Sequence, residues 1–141
     1  SGRIHMTSGE MKVLREYLNE GGMLFADAGS GHFHRSFVSL MNRMFPGELR
    51  TIADDDPIYQ FPYGFPEGAP PLWHYGGYPS YGIKKQNRWI VYYHPGDVND
   101  AWKTGHSGMD RRLAERAYLL GINIIYYSFT HYLQETKEYR R

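Results

Sequence analysis

The amino-acid sequence predicts an α/β fold with a mostly parallel sheet flanked by helices. The chain has 141 residues, the size of a single domain. Its N-terminal third alternates a helical pattern, a Gly-Gly break, a short apolar run, a glycine-rich turn and a second helical pattern. Such alternation is typical of sheets whose strands are connected through helices. A strand-rich stretch and a helical last third complete the pattern.

The N-terminal elements are predicted from capping and spacing. Residues 1–6 resemble an expression-vector remnant, so we expect the natural polypeptide to enter near Thr7 and exclude His5 from site candidates. Thr7 and Glu10 have the spacing of a capping box at the start of a helix, which Gly21-Gly22 ends. An apolar run of strand length follows, and the spacing of apolar residues after the glycine turn predicts a second helix over residues 33–44.

Residues 54–82 are rich in proline, glycine and aromatic residues and show no periodicity. So long a stretch is unusual inside a domain unless it serves a function, and it is too aromatic for a solvated linker. We expect an ordered excursion over one end of the sheet, pinned by its rings. Strands at residues 81–84 and 89–93 should follow, joined by a turn at residues 85–88. The second strand is strongly β-prone, and we expect it to be central.

The last third of the chain is predicted to be helical. Its apolar residues form two stripes at helical spacing, and the polar end of the chain also favours a helix over the β-strand that residues 122–127 suggest. A bend is expected at Gly121. The first stripe comprises Leu113, Ala117, Leu120 and Ile124, and the second comprises Ile122, Tyr126, Phe129 and Leu133.

Composition excludes several classes of function. The formal net charge of +1 gives no field that would attract nucleic acid or an anionic membrane, so neither is an expected partner. The chain has no cysteine, which excludes disulfides, a thiol nucleophile and thiolate metal sites. No apolar run reaches the roughly 20 residues that span a bilayer, and no signal peptide is visible. The localisation stays open, because an envelope-associated or secreted parent would carry its signal or anchor before residue 7.

The best candidate site follows the strand that we expect to be central. His94, Asp97, Asp100 and His106 lie in one loop-like stretch, and ligands of open α/β sheets bind beyond the carboxyl ends of strands. Imidazole together with carboxylate suits zinc, manganese or iron. One interpretation is a divalent-metal site with His94, Asp97 and His106 as ligands and Asp100 as general base.

A structural interpretation of the same stretch competes with the metal site. Asp97 and Asp100 have the residue type of turn and helix caps, Lys103 would be their ion-pair partner, and Trp102 would be a packing anchor. Trp102 and Lys103 are otherwise candidates for contacting a ligand.

The turn after the first strand is a second candidate. An elbow for a serine nucleophile would need glycine where Ala28 and His32 stand, and a glycine-rich phosphate loop also fails, so Ser30 is interpreted as a helix cap. Even so, the backbone N–H groups of this turn could bind an anion, with Asp27 and Ser30 beside it. If residues 32–34 are extended, the imidazoles of His32 and His34 lie on the same face and could bind one metal ion. In a helix the two side chains point in different directions.

The aromatic excursion offers Trp73, Tyr75 and Tyr78 as ligand-binding candidates. Such rings stack on sugars or bind a partner peptide, whereas the alternative is that they only pin the excursion to the domain. A protein or a small-molecule or carbohydrate ligand is therefore the expected partner.

Several stretches carry a resemblance to known families. Residues 14–28, LREYLNEGGMLFADA, resemble the helix–Gly-Gly–strand–turn segment of class I glutamine-amidotransferase-like domains. The chain is also similar to a bacterial family catalogued as a domain of unknown function. That similarity rests on RSF at 35–37, FPG at 45–47, DPIY at 56–59, RWIVYYHPGD at 88–97 and LGINIIYY at 120–127.

This resemblance implies a flavodoxin-like sheet whose first βα units precede Thr7. A sheet truncated in this way exposes an edge, which invites a homodimer. The amidotransferase relatives place a nucleophilic cysteine at the turn after a strand, and this chain has none, so their amide hydrolysis is not supported.

The sequence thus predicts a cysteine-free binding or assembly module. The aromatic segment and the stretch from His94 to His106 would form its recognition surface, on the same rim of the sheet as the glycine turn. The alternative is a metal-dependent hydrolase that uses the His/Asp cluster.

Overall fold

The computed structural model describes residues 3–71, 79–103 and 110–139, with side chains up to residue 134. Helices and strands pack together, which confirms the α/β part of the predicted fold class. The elements are α1 (Ser8–Asn19), β1 (Leu24–Asp27), α2 (Gly31–Met44), β2 (Arg50–Thr51), a 3-10 turn (Pro57–Tyr59), β3 (Tyr81–Lys85), β4 (Arg88–His94), α3 (Val98–Trp102) and α4 (Arg111–Tyr139).

The sheet is mixed, so the expectation of a mostly parallel sheet is wrong. Its strand order is β1-β4-β3-β2; β1 runs parallel to β4, and the other two pairs are antiparallel. The physical reason is the turn between β3 and β4. Gln86 and Asn87 both have a positive φ, 49° and 63°, as in the two-residue turn of a tight β-hairpin. Such a turn returns the chain antiparallel to itself.

Strand β4 is central, as its β-prone sequence predicts. It lies between β1 and β3, and all seven of its residues are buried. Val91 and Tyr93 contribute to a core cluster that also contains residues of α1 and α2. Trp89 and Tyr92 contribute to a second cluster with the 3-10 turn and α4. Helices therefore cover both faces of the sheet.

The predicted caps of the first two helices are confirmed. The Thr7 hydroxyl accepts from the Glu10 N–H at 3.2 Å, and the Glu10 carboxylate accepts from the Thr7 N–H at 2.9 Å. Ser30 is the N-cap of α2, which begins at Gly31, two residues earlier than predicted. Ile4 and Met6 pack against the core cluster of α1 and α2, while the interpretation of residues 1–6 as a vector remnant stays a prediction.

The described part of the aromatic excursion is pinned by its rings, as expected. Tyr59 is buried, and its hydroxyl lies 3.0 Å from the Tyr92 hydroxyl in the sheet. The Asp56 carboxylate accepts from the indole N–H of Trp89 at 2.9 Å. Phe65 is also buried against this cluster. The excursion thus forms part of the core on the α4 side of the sheet.

Helix α4 confirms the helical interpretation of the last third. Of the first apolar stripe, Ala117, Leu120 and Ile124 are buried, and Leu113 is partly buried. The second stripe lies on the solvent side; Phe129, for example, is 65% exposed. None of the helices in the described part of the chain combines the length and apolar character that crossing a bilayer requires.

Candidate functional site

The carboxyl ends of β1 and β4 meet at one rim of the sheet, which confirms the expected proximity of the two candidate segments. Asp27, the last residue of β1, is in register with His94, the last residue of β4. The Ala28 N–H donates to the His94 carbonyl at 3.1 Å and continues the pairing past the strand end. The glycine turn and the stretch after His94 are therefore neighbours.

His94 is a buried hydrogen-bonded anchor in this rim. It is 3% exposed, its Nδ1 accepts from the Gly96 N–H at 2.8 Å, and its Nε2 lies 3.2 Å from the Pro70 carbonyl. Because a carbonyl only accepts, Nε2 carries the ring proton. Burial lowers the pKa of His94, and its two hydrogen bonds oppose this only in part. The neutral imidazole thus connects the rim to the aromatic excursion.

The carboxylates of the rim hold the start of α3. Asp97 is the N-cap of α3 and accepts from the Asp100 N–H at 2.8 Å, as the structural interpretation predicted. The Asp27 carboxylate accepts from the Asn99 N–H at 2.8 Å. Burial is the main cause that raises the pKa of Asp27; Asp97 adds to the rise, and the hydrogen bond from Asn99 opposes it. The carboxylates of Asp27 and Asp97 therefore both accept from backbone N–H groups in the first turn of α3.

Trp102 is a packing anchor between α3 and α4. Its ring stacks on Phe25 at a centroid distance of 5.9 Å, and its indole N–H donates to the Ala117 carbonyl at 3.0 Å. It also lies against Gly121, where an added Cβ would come within 2.9 Å of the indole. Lys103 is the C-cap of α3 and lies on the surface. The packing role predicted for Trp102 is confirmed, and direct ligand contact by either residue stays a prediction.

The histidines at the start of α2 diverge, because both lie in the helix. His32 Nδ1 lies 3.1 Å from the Arg35 guanidinium, whereas His34 Nδ1 lies 2.6 Å from the buried Tyr93 hydroxyl. Ser30 accepts from a backbone N–H of the first turn at 3.2 Å, as a cap does. The helical form removes the shared face that a metal pair of His32 and His34 would need.

A cavity of about 490 Å³ opens beside β1. All four residues of the strand are half-buried and line it. Phe33 and Phe37 of α2 contribute apolar walls, and Asp27 and Asp97 contribute carboxylates. The rim thus combines an apolar floor with acidic groups at the ends of the strands.

Part of the predicted site lies outside the described residues, namely Trp73, Tyr75, Tyr78 and His106. Within residues 3–71, 79–103 and 110–139, no group of three or more His, Asp or Glu side chains is arranged to hold a metal ion. The proposed metal set includes His106, so it stays a prediction.

Sequence reasoning missed two parts of the rim. Asn99 and Pro70 contribute backbone atoms, to Asp27 and His94 respectively. No pattern of side chains signals a backbone contact between segments far apart in the chain. Ile4 and Met6 also line the cavity beside β1, but the resemblance of residues 1–6 to a vector remnant gives no reason to expect them at a site.

A comparison with protein families identifies the chain's relatives. The family model described as Domain of unknown function (DUF4159) matches residues 1–129. The chain belongs to this family. The DUF4159 match covers all four strands, the rim and most of α4. No curated protein matches the chain.

Proposed function

We propose that this DUF4159 domain is a non-catalytic binding module that takes an extended segment of a partner protein along β1. The observation that carries the proposal is the position of β1 in the sheet. In the described part of the chain, β1 is an edge strand that pairs with β4 on one side alone. An edge strand presents backbone N–H and C=O groups that an added strand can satisfy.

The surroundings of β1 support this mode of binding. A strand added at an edge places alternate side chains on the two faces of the sheet, where pockets can select them. The cavity beside β1 has apolar walls formed by residues such as Leu24, Ala26 and Phe33. Asp27 and Asp97 line the same cavity. The partner segment should therefore combine apolar residues with a lysine or arginine.

The polar groups of the rim favour binding over catalysis. Both ring nitrogens of His94 have partners in the protein, Asp97 caps α3, and Asp27 accepts from a backbone N–H. A general base must be within hydrogen-bond reach of a substrate proton, and these atoms are held by the fold. These groups therefore stabilise the fold beside β1, which supports a binding role for the strand over a catalytic role for the polar groups.

We further infer that the domain is a bacterial, cysteine-free relative of the amidotransferase-like, flavodoxin-like domains. The order helix, Gly-Gly, strand, turn and helix over α1, β1 and α2 supports this inference. The absence of cysteine from the chain removes the thiol chemistry of those relatives.

Selection of short displayed peptides on the full chain tests the proposal. Enriched peptides should alternate apolar residues, carry lysine or arginine, and protect the amides of β1 in hydrogen exchange. Ala26→Arg should abolish the binding because a long charged side chain would fill the cavity. Val13→Arg is the matched control, since Val13 is 66% exposed on α1 and should leave binding unchanged.

Two results would overturn the proposal. One is enrichment of peptides whose binding protects amides elsewhere and leaves β1 unprotected. The other is a stable homodimer, seen by sedimentation, whose dissociation by Ala26→Arg shows that a second copy occupies the edge. Thermal unfolding of both variants separates lost binding from a lost fold.

A further inference from the structure

A second cavity, which we call the basic cleft, lies between the N-terminal segment and the outer face of α2. Its volume is about 290 Å³. Five basic side chains line it: His32, Arg35 and Arg43 from α2, and Arg3 and His5 from the segment 1–6, which resembles a vector remnant but lies within the DUF4159 match. No aspartate or glutamate is among its lining residues. Because the whole chain carries a formal charge of only +1, the cleft is a local concentration of positive charge.

Helical spacing builds one wall of the basic cleft. His32, Arg35, Ser39 and Arg43 recur every three or four residues and so share one face of α2. All four are exposed, while the opposite face of the helix is buried in the core. The sequence of α2 contains no acidic residue that could neutralise this face.

The other wall depends on a clasp between Ile4 and Ser36. The Ser36 hydroxyl accepts from the Ile4 N–H at 2.7 Å and donates to the Ile4 carbonyl at 3.2 Å. Ile4 packs against the core, and its neighbours Arg3 and His5 are exposed. This alternation is that of an extended segment, which puts Arg3 and His5 on the same side.

The cations of the cleft are not neutralised within the described part of the chain. There, no carboxylate forms an ion pair with Arg3, Arg35 or Arg43; the ion pair that does form joins Lys85 and Glu48. Mutual repulsion between the three guanidinium groups is a cost that a bound anion would relieve. An anion with more than one charge suits three cations best.

The arrangement is also partly preorganised for an anion. The Arg35 guanidinium lies 3.1 Å from Nδ1 of His32. Since arginine only donates, Nδ1 accepts and Nε2 of His32 carries the proton. That N–H and the Ser39 hydroxyl are two further donors beside the guanidinium groups. Guanidinium groups bind phosphate oxygens through two parallel hydrogen bonds.

We propose that the basic cleft binds a small soluble ligand that carries phosphate groups. The proposal is independent of strand addition at β1, because the arginines that would bind the anion do not line the cavity beside β1. Its occupant is small, since the cavity holds little beyond one or two phosphates and a short organic group. Binding should weaken as salt is raised, because the cleft is open to solvent and its charges are screened.

Titration of the full chain with pyrophosphate, followed by amide NMR, tests the proposal. Saturable shifts are expected at Ser36, Ser39 and neighbouring amides of α2. Arg35→Gln and Arg43→Gln should each weaken binding about tenfold, since each removes a charge-assisted contact. Arg112→Gln is the matched control; Arg112 is also exposed, lies at the start of α4 and does not line the cleft, so binding should be unchanged.

A further variant tests the geometry of the cleft without changing its charge. Ser36→Ala breaks the clasp on Ile4 and should weaken pyrophosphate binding, because Arg3 and His5 lose their position. The proposal is overturned if shifts grow linearly without saturation, if they centre outside α2, or if Arg112→Gln weakens binding as much as Arg35→Gln. Arg35, Arg43 and Arg112 are exposed, so their substitution should leave the fold intact, whereas Ser36 is partly buried; a thermal melt of each variant verifies the fold.

Discussion

The central prediction concerns His94, which the sequence offers as a metal ligand and the structure uses as a buried anchor. In His94→Leu, the Gly96 N–H and the Pro70 carbonyl both lose their partner. An unmet buried polar group costs about 1–3 kcal/mol. The variant should therefore lose about 2–6 kcal/mol in free energy of unfolding, and its Tm should fall by roughly 10 °C.

His94→Asn is the matched partner of this variant. The asparagine side-chain oxygen can take the place of Nδ1 and accept from the Gly96 N–H, but the amide is too short to reach the Pro70 carbonyl. One of the two hydrogen bonds survives, so the loss should be about half of that in His94→Leu. A graded loss shows that the two bonds contribute separately.

The pH dependence of stability gives a further test of the same residue. Burial lowers the pKa of His94 below its ordinary value of 6.5. The unfolded chain therefore binds this proton more readily than the folded one. The contribution of His94 to stability should be fully present above pH 6.5 and should be lost as pH falls through the lowered pKa. In His94→Asn this part of the pH dependence should be absent.

Urea unfolding of the three proteins, at neutral and mildly acidic pH and with or without zinc, measures all of these effects. Under the anchor interpretation, zinc leaves the midpoint of the wild-type chain unchanged. A specific metal site would add about 2.7 kcal/mol at a zinc concentration 100 times the Kd. That stabilisation, lost in His94→Leu, would refute the reasoning. So would a His94→Leu variant as stable as the wild type.

Three further predictions concern the rim and the sheet. Trp102→Ala should lower the free energy of unfolding by about 3–5 kcal/mol, because the ring fills the space between α3 and α4. Trp102→Phe should lower it by about 1 kcal/mol, because only the hydrogen bond of the indole N–H is lost. Chemical denaturation measures both losses. Gly82→Ala should lower the free energy of unfolding by about 1–3 kcal/mol, because the added Cβ would lie 2.7 Å from the Val91 carbonyl oxygen. Gly64→Ala is the control; its Cβ would have nothing within 4 Å, so the Tm should change little. Burial raises the pKa of Asp27, so the wild type loses stability when this carboxyl ionises as pH rises. Asp27→Asn cannot ionise, and its stability relative to the wild type should therefore increase from acidic to neutral pH. Thermal melts across this range test the prediction.

Local signals allowed much of the fold to be predicted. The capping box at Thr7, the cap at Ser30 and the buried stripe of α4 each depend on residues within a few positions of one another. The hairpin turn at Gln86 and Asn87 is equally local. Such features are visible in sequence because their energetics are decided by neighbouring residues.

Features that join distant segments could not be predicted in this way. The pairings of β1 with β4 and of β2 with β3 join segments far apart in the sequence, so the order β1-β4-β3-β2 is not visible in local patterns. Arg88 illustrates the point, since it is buried and donates to the carbonyls of Leu18 and Gly22 at the end of α1. In the sequence, Arg88 is a cation next to the Gln86-Asn87 turn, and no local pattern indicates that it is buried.

The candidate site shows why residue type alone could not decide its function. Histidine and aspartate are suited to metal binding and proton transfer, but they are equally suited to holding backbone N–H groups where strands end and a helix begins. At this rim, His94, Asp97 and Asp27 all accept from backbone N–H groups. These hydrogen bonds hold the ends of β1 and β4 and the start of α3 in place. Beside them lies β1, whose four residues are half-buried. Under the proposed strand addition, recognition should depend on strand pairing and on the shape of the cavity, and substitutions along β1 should affect binding more than substitutions at His94.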